Sequence, residues 1–180
     1  MVVLQYYDWD TARGKQLVYD SVTTFWPMWC QMASQDQAEQ IMRKSLKKFE
    51  VQGGLVSGTE ASRGKISLDR PNRQWDYPAA WPPHQIMAWV GMQRYGYIEE
   101  AERVAYRWLY MVTSGFVEAG GVVPEKFDAV ACTSNIDAEY GNQVRAFVQG
   151  LVAVAHVPHR VRTSSTFRGR ALAGPTQATR

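Results

Sequence analysis

The chain has 180 residues, 46% of them apolar and 21% charged, enough for one domain with one buried core and an ordinary composition for a soluble globular protein. The N-terminus lacks the basic-then-apolar pattern of a secretory signal, and every apolar run falls far short of a membrane span. Two cysteines, Cys30 and Cys132, form no CxxC pair and no His/Cys cluster of zinc-binding type, so the expectation is a cytoplasmic protein in a reducing compartment with no cofactor and no metal. The net charge of +3 hides an asymmetry: residues 1–143 hold 14 Lys and Arg against 17 Asp and Glu, whereas residues 144–180 hold six Arg, no Lys and no acid.

The first predicted element is a helix over Val22–Ala33, capped by Ser21 or Asp20, with Pro27 kinking it or moving its start. Asp36 is expected to cap a second helix through Gln37–Phe49. Ile41, Met42, Leu46 and Phe49 form its inner stripe, and Arg43, Lys44, Lys47 and Lys48 lie mostly on the other face. Residues 50–81 form a long connection rich in Gly, Ser, Pro and Arg, and a loop of this length in a compact domain is functional or disordered. Its Trp, Asp and Arg content argues against disorder. Pro82 and Pro83 suit the start of a third helix that runs to about Tyr95. A fourth is expected from Ile98 to Glu118. Ile98, Ala101, Ala105, Trp108, Leu109 and Val112 recur at three-to-four spacing, and Glu99, Glu100 and Glu102 sit at its positive end. Strand signals are weak, with local pairing open to Val51–Ser57 and to Val122-Val123. The fold class is therefore all-α, in helix pairs, with long functional loops at helix ends.

Seven Trp and nine Tyr are many for this length, and indole faces stack well on the CH faces of sugar rings as well as in cores. The run Arg70–Gln85 places Trp75, Trp81, Asp76, Gln74, Arg70 and Arg73 in one proline-stiffened loop. Carboxylate, amide and guanidinium groups there can bind hydroxyls directionally, or can hold a structural loop through Arg–Asp pairs. Two further acidic segments follow, Pro124-Glu-Lys-Phe-Asp128 and Asp137-Ala-Glu-Tyr-Gly-Asn-Gln143. Cleaving a glycosidic bond needs one carboxylic acid to protonate the leaving oxygen and a second carboxylate to activate water or to attack.

Taken together these segments are similar to the trehalase family, in colinear order over nearly all of residues 1–143. Gln74-Trp-Asp-Tyr-Pro-Ala-Ala-Trp-Pro-Pro83 resembles its Q-W-D-x-P-x-G/A-W-x-P signature. Val123-Pro-Glu-Lys-Phe-Asp128 resembles its E-K-Y/F-D segment, and Asp137–Gln143 the E-Y segment that follows. Ser21–Trp26, Gly53–Glu60 and Ser67–Arg73 resemble the fungal neutral branch. The resemblance implies an (α/α)6 toroid that hydrolyses α,α-trehalose to two glucoses with inversion. It maps the general base onto Glu125 and a sugar-binding carboxylate onto Glu139. It points to Gln74, Trp75, Asp76 and Trp81 as the lining of the sugar pocket. The partner it implies is trehalose, with no nucleic acid and no membrane.

Nothing in residues 1–143 matches the family's G-W-D-x-S segment, which carries the general acid. The chain therefore resembles the C-terminal part of a catalytic domain and is expected to be inactive alone. The alternative is a truncated, non-catalytic relative that binds sugar or a full-length partner. A partial toroid is also expected to expose apolar helix faces such as those of Trp108 and Leu109. After Gln143 the family's G-F-G-W type motif is replaced by the Arg-bearing stretch 144–180. The expectation for that stretch is a basic tail, disordered or out of frame, with nucleic-acid or acidic-membrane binding as the rival reading.

Overall fold

The structure, a computed structural model, describes residues 6–134; the segments 137–143 and 144–180 lie outside the described residues. Helices dominate, as the apolar spacing predicts, and three two-residue antiparallel pairs are added to them. The chain opens with the pair β1 (Trp9–Asp10) and β2 (Lys15–Gln16).

The expected helix over Val22–Ala33 is broken in two. A 3-10 turn covers Val22–Phe25, and α1 is the single turn Trp26–Trp29. Proline lacks an N–H, so Pro27 cannot close the hydrogen bond that would continue a helix from Thr23, but it is tolerated in a first turn. Ser21 is the cap, its hydroxyl accepting from the Thr23 N–H at 3.3 Å. The second helix, α2 (Gln35–Phe49), starts earlier than expected. Ser34, not Asp36, caps it: Ser34 accepts from the Gln37 N–H while the Gln37 side chain accepts from the Ser34 N–H. This reciprocal pair satisfies two donors that the helix leaves open. Asp36 stands in the first turn, where the helix dipole favours a negative charge. Ala38, Ile41, Met42, Leu46 and Phe49 are buried, the inner stripe that the sequence predicts.

The long connection is ordered by its contacts. It contains the hairpin β3 (Glu50–Val51) and β4 (Gly54–Leu55), one helical turn α3 (Glu60–Arg63), and strand β5 (Ala79–Ala80). Val122-Val123 takes no part in a strand. The pairing partner of β5 is instead β6 (Phe127–Asp128).

The third and fourth helices are α4 (Pro82–Arg94) and α5 (Ile98–Glu118). Helix α4 packs against both α1 and α5, and its buried residues His84, Gln85, Ala88, Trp89, Gly91 and Met92 spread around more than one face. A helix enclosed on several sides carries apolar groups on several sides. Gln85, fully buried, replaces a missing backbone partner. It donates to the Leu55 carbonyl at 2.6 Å and accepts from the Leu55 N–H at 2.9 Å. Trp108 is completely buried in edge-on contact with Phe127, ring centroids 5.6 Å apart, so it is not part of an exposed face. The face of α5 that meets solvent is instead Tyr106, Tyr110 and Val117, and Ile98 at the helix start is also exposed.

Candidate active site

Residues 70–81 fold around one carboxylate. Asp76 is buried, and four donors converge on it: Arg70 Nη1 at 2.7 Å and Nη2 at 3.1 Å, the Arg73 backbone N–H at 2.9 Å, and the Tyr19 hydroxyl at 3.0 Å. An ionised carboxylate offers about four lone-pair sites, so these donors occupy its whole accepting capacity. Burial by itself pushes the Asp76 pKa up. The hydrogen bonds from Arg70, from the Arg73 amide and from Tyr19 outweigh it and hold the group below the usual carboxylate range. Burial, then the hydrogen bond to Asp76, pushes the Tyr19 phenol up to about 12, so at neutral pH it is the donor. Tyr19 reaches Asp76 by lying over Gly58, where a Cβ would stand 2.7 Å from the Tyr19 oxygen. A side chain at 58 would push the phenol off its partner.

This anchor aims two indoles. The Trp81 N–H donates to the Gln74 carbonyl at 2.8 Å, closing the loop on itself. Trp75 then stacks on Trp81, centroids 4.1 Å apart and planes inclined by 20°. Trp81 is only 4% exposed and Trp75 is 43% exposed, so Trp81 is the backing and Trp75 the open face. Beneath them sits His84, in the first turn of α4. Its ring lies 5.1 Å from Trp75 and 6.2 Å from Trp26, and its Nδ1 lies 3.2 Å from the Ser57 hydroxyl. Ser57 is fixed in turn, its N–H donating to the Ala79 carbonyl at 2.8 Å and its carbonyl accepting from the Val22 N–H at 3.0 Å. Burial pushes the His84 pKa down to about 4, and the imidazole is neutral at pH 7.

Glu125 arrives from 44 residues beyond Trp81 in the chain, and a two-residue strand pair brings it there. Ala80 faces Phe127 and Ala79 faces Asp128 across β5 and β6. Just beyond the end of this pair the Lys126 Nζ lies 5.6 Å from the centroid of the Trp81 indole. Glu125 comes next. It is half-buried and makes no hydrogen bond or ion pair with any described residue. Gln74, Trp75, Asp76 and Trp81 are thus gathered at the start of α4, Glu125 is carried by the segment that leads into β6, and Glu139 lies outside the described residues. Chemically the arrangement is an aromatic platform for the CH face of a ring, on a loop paired to the segment that carries an uncommitted carboxylate.

Sequence reasoning did not single out Tyr19, Ser57, His84 or Trp26. His84 falls within the Arg70–Gln85 run, so its chemistry was in view. Nothing in spacing marks Tyr19, which meets Asp76 only in three dimensions. Among the described residues no group of three or more His, Cys, Asp or Glu side chains is placed to hold a metal ion, and no helix is long and apolar enough to cross a membrane.

Comparison with known proteins gives these parts a common origin. The cytosolic neutral trehalase of Pyricularia oryzae is 54% identical over 144 residues, covering 79% of this chain and 20% of that protein. The cytosolic neutral trehalase of Saccharomyces cerevisiae is 48% identical over 140 residues, 77% of this chain and 19% of that protein. The chain therefore spans about a fifth of the length of the curated relatives it matches. Among solved structures, neutral trehalase Nth1 from Saccharomyces cerevisiae superposes with a TM-score of 0.68 at 47% identity, over 71% of this chain and 23% of that one. A GH63 mannosylglycerate hydrolase from Thermus thermophilus, solved in complex with glucose, shares the fold alone, with a TM-score of 0.59 at 18% identity over 73% of this chain and 31% of that one. The Trehalase family model matches residues 4–148, and with relatives of this identity the chain belongs to the trehalase family.

Proposed function

We propose that this chain contributes one wall of a trehalose-hydrolysing active site, within a polypeptide that completes an (α/α)6 toroid. The observation that carries the reading is the stacked Trp75–Trp81 pair, whose loop is joined through β5 and β6 to the segment that carries Glu125. On this reading one glucosyl unit lies against Trp75. Glu125 takes a proton from water as general base, and the hydroxide so formed attacks the anomeric carbon from the face opposite the leaving group. An acid from outside this chain protonates the leaving oxygen. The product is inverted because the base activates water rather than attacking, and the two carboxyls then stand about 6.5–9.5 Å apart.

Glu139 and Gln74 bind sugar hydroxyls, and Trp81 backs the platform. Asp76 has its lone pairs taken by Arg70, Arg73 and Tyr19, which supports a role in holding the loop rather than in touching sugar. The reaction needs no cofactor. Relatives named as cytosolic support a cytosolic location. The chain has two parts on this reading, the catalytic-domain piece over residues 1–143 and the basic stretch 144–180.

Glucose release from trehalose is the test, with the purified 180-residue chain beside a longer polypeptide that contains it. The expected result is activity only in the longer protein, lost on Glu125→Gln with the fold retained. Activity of the short chain alone would place a general acid within these residues and overturn the assignment. Trehalose binding without turnover in the longer protein would favour a non-catalytic relative instead.

A further inference from the structure

Beneath Trp75 the structure holds a polar group that the hydrolysis mechanism does not use. His84 is only 7% exposed. Its Nδ1 is taken by Ser57 at 3.2 Å. Its Nε2 hydrogen-bonds no described residue, yet it is not among the side-chain nitrogens and oxygens sealed from solvent without a partner. Nε2 is thus a ring nitrogen with no protein partner, on a ring whose centroid lies 5.1 Å from that of the half-exposed Trp75. A ring nitrogen left without a protein partner, on a side chain otherwise buried, is open to a hydrogen bond from a ligand.

We propose that His84 is a sugar-binding residue of the tryptophan platform: Ser57 holds the imidazole through Nδ1, and Nε2 hydrogen-bonds one hydroxyl of the ring stacked on Trp75. The inference rests on the glycosidase reading and adds a specificity element to it. Two indole contacts, Trp26 at 6.2 Å and Trp75 at 5.1 Å, together with the Ser57 hydroxyl restrain the imidazole, so the platform and the hydrogen bond arrive as one unit. A stacked indole accepts many ring configurations. A single buried hydrogen-bonding atom discriminates between them, because a sugar lacking that hydroxyl leaves it unpaired.

The test uses the longer polypeptide that contains this chain, with trehalose and a panel of its monodeoxy analogues as probes. Binding is measured calorimetrically on the wild type, His84→Phe and His84→Gln. Phenylalanine keeps the ring packing and removes the nitrogen; glutamine keeps a nitrogen near the position of Nε2. The wild type is expected to bind one deoxy analogue roughly tenfold more weakly than trehalose, the worth of one neutral hydrogen bond. In His84→Phe that discrimination falls to within about twofold while affinity for that analogue holds, and His84→Gln restores part of it. The Trp75–Trp81 exciton band in circular dichroism reports whether the platform survives each substitution. If His84→Phe weakens trehalose and every analogue alike, or leaves the discrimination intact, His84 is packing only and the proposal fails while the glycosidase reading stands. If the wild type binds neither trehalose nor glucose, the glycosidase reading fails and takes this proposal with it.

Discussion

The same histidine makes the stability of this domain depend on pH in a calculable way. His84 is neutral in the fold because burial lowers its pKa to about 4, against 6.5 for a free imidazole. Between those values the unfolded chain binds a proton that the folded chain refuses, so folding loses ground as the pH falls. The contribution is complete above pH 6.5, erodes through the window down to about pH 4, and is constant below it. With about 1.36 kcal/mol per pKa unit, the loss between pH 7 and pH 4.5 is about 2–3 kcal/mol, a large part of a domain's net stability. Carboxylates titrate nearby and would blur a single profile, so the measurement is a difference. Urea unfolding of the wild type and His84→Gln at pH 7 and at pH 4.5 gives two stability drops, and all other groups cancel between them. The wild type is expected to lose about 2–3 kcal/mol more than the variant. Parallel losses in the two proteins would mean that His84 is not held neutral by burial, and the account of its packing among Trp26, Trp75 and Trp81 would be wrong.

Asp76→Ala strands four donors, two of them on a half-buried phenol and a backbone amide, and is expected to cost about 2–4 kcal/mol in urea unfolding and to abolish the Trp75–Trp81 exciton signal; retention of that signal would refute the anchor role. Because the Asp76 pKa is held low in the fold, its stabilising contribution is full above the ordinary carboxylate pKa and is lost as the pH falls toward the folded value, a window lower than that of His84. At Gly91 an added Cβ would meet the Trp29 backbone nitrogen at 2.8 Å and the Met28 Cβ at 3.1 Å. Alanine gains about 1 kcal/mol of helix propensity over glycine, but α1 must shift to admit it, at about 1–3 kcal/mol. A net loss of about 1 kcal/mol in thermal or urea unfolding is the expected outcome, and a more stable Gly91→Ala would show that α1 and α4 pack more loosely than described.

Legibility varied with the range of the forces involved. The bounds of α5 and the inner stripe of α2 follow from apolar spacing alone, because a helix closes its hydrogen bonds within four residues and needs only one apolar face turned inward. The cap of α2 was missed by two residues. Ser34 and Asp36 are both good caps, and the choice fell to Gln37, which answers Ser34 and not Asp36. The break in the first helix was half legible: Pro27 announced it, but the 3-10 turn at Val22–Phe25 depended on Ser21 and on the Ser57 carbonyl across the fold. Val122-Val123 read as a strand by composition, yet Phe127 won the place beside Ala80 because its ring fills the space against Trp108 and beside Gly115.

The residues of the candidate site divide along the same line. Their identities are written in the chain: Gln74, Trp75, Asp76 and Trp81 in one proline-stiffened run, and Glu125 in its own acidic segment, each carrying the chemistry a sugar site needs. What a linear reading cannot weigh is which of those groups remain open. Asp76 has the right charge for binding hydroxyls, and only the convergence of Tyr19, Arg70 and the Arg73 amide uses up its lone pairs. Glu125 has an ordinary sequence context, and only the tertiary structure shows that its segment pairs with the tryptophan loop and that its oxygens meet no described residue. Local sequence determines which backbone hydrogen bonds a segment can close and which chemistry it carries. Tertiary packing decides which polar groups are consumed in holding the fold and which are left to meet a substrate, because that depends on partners tens of residues away.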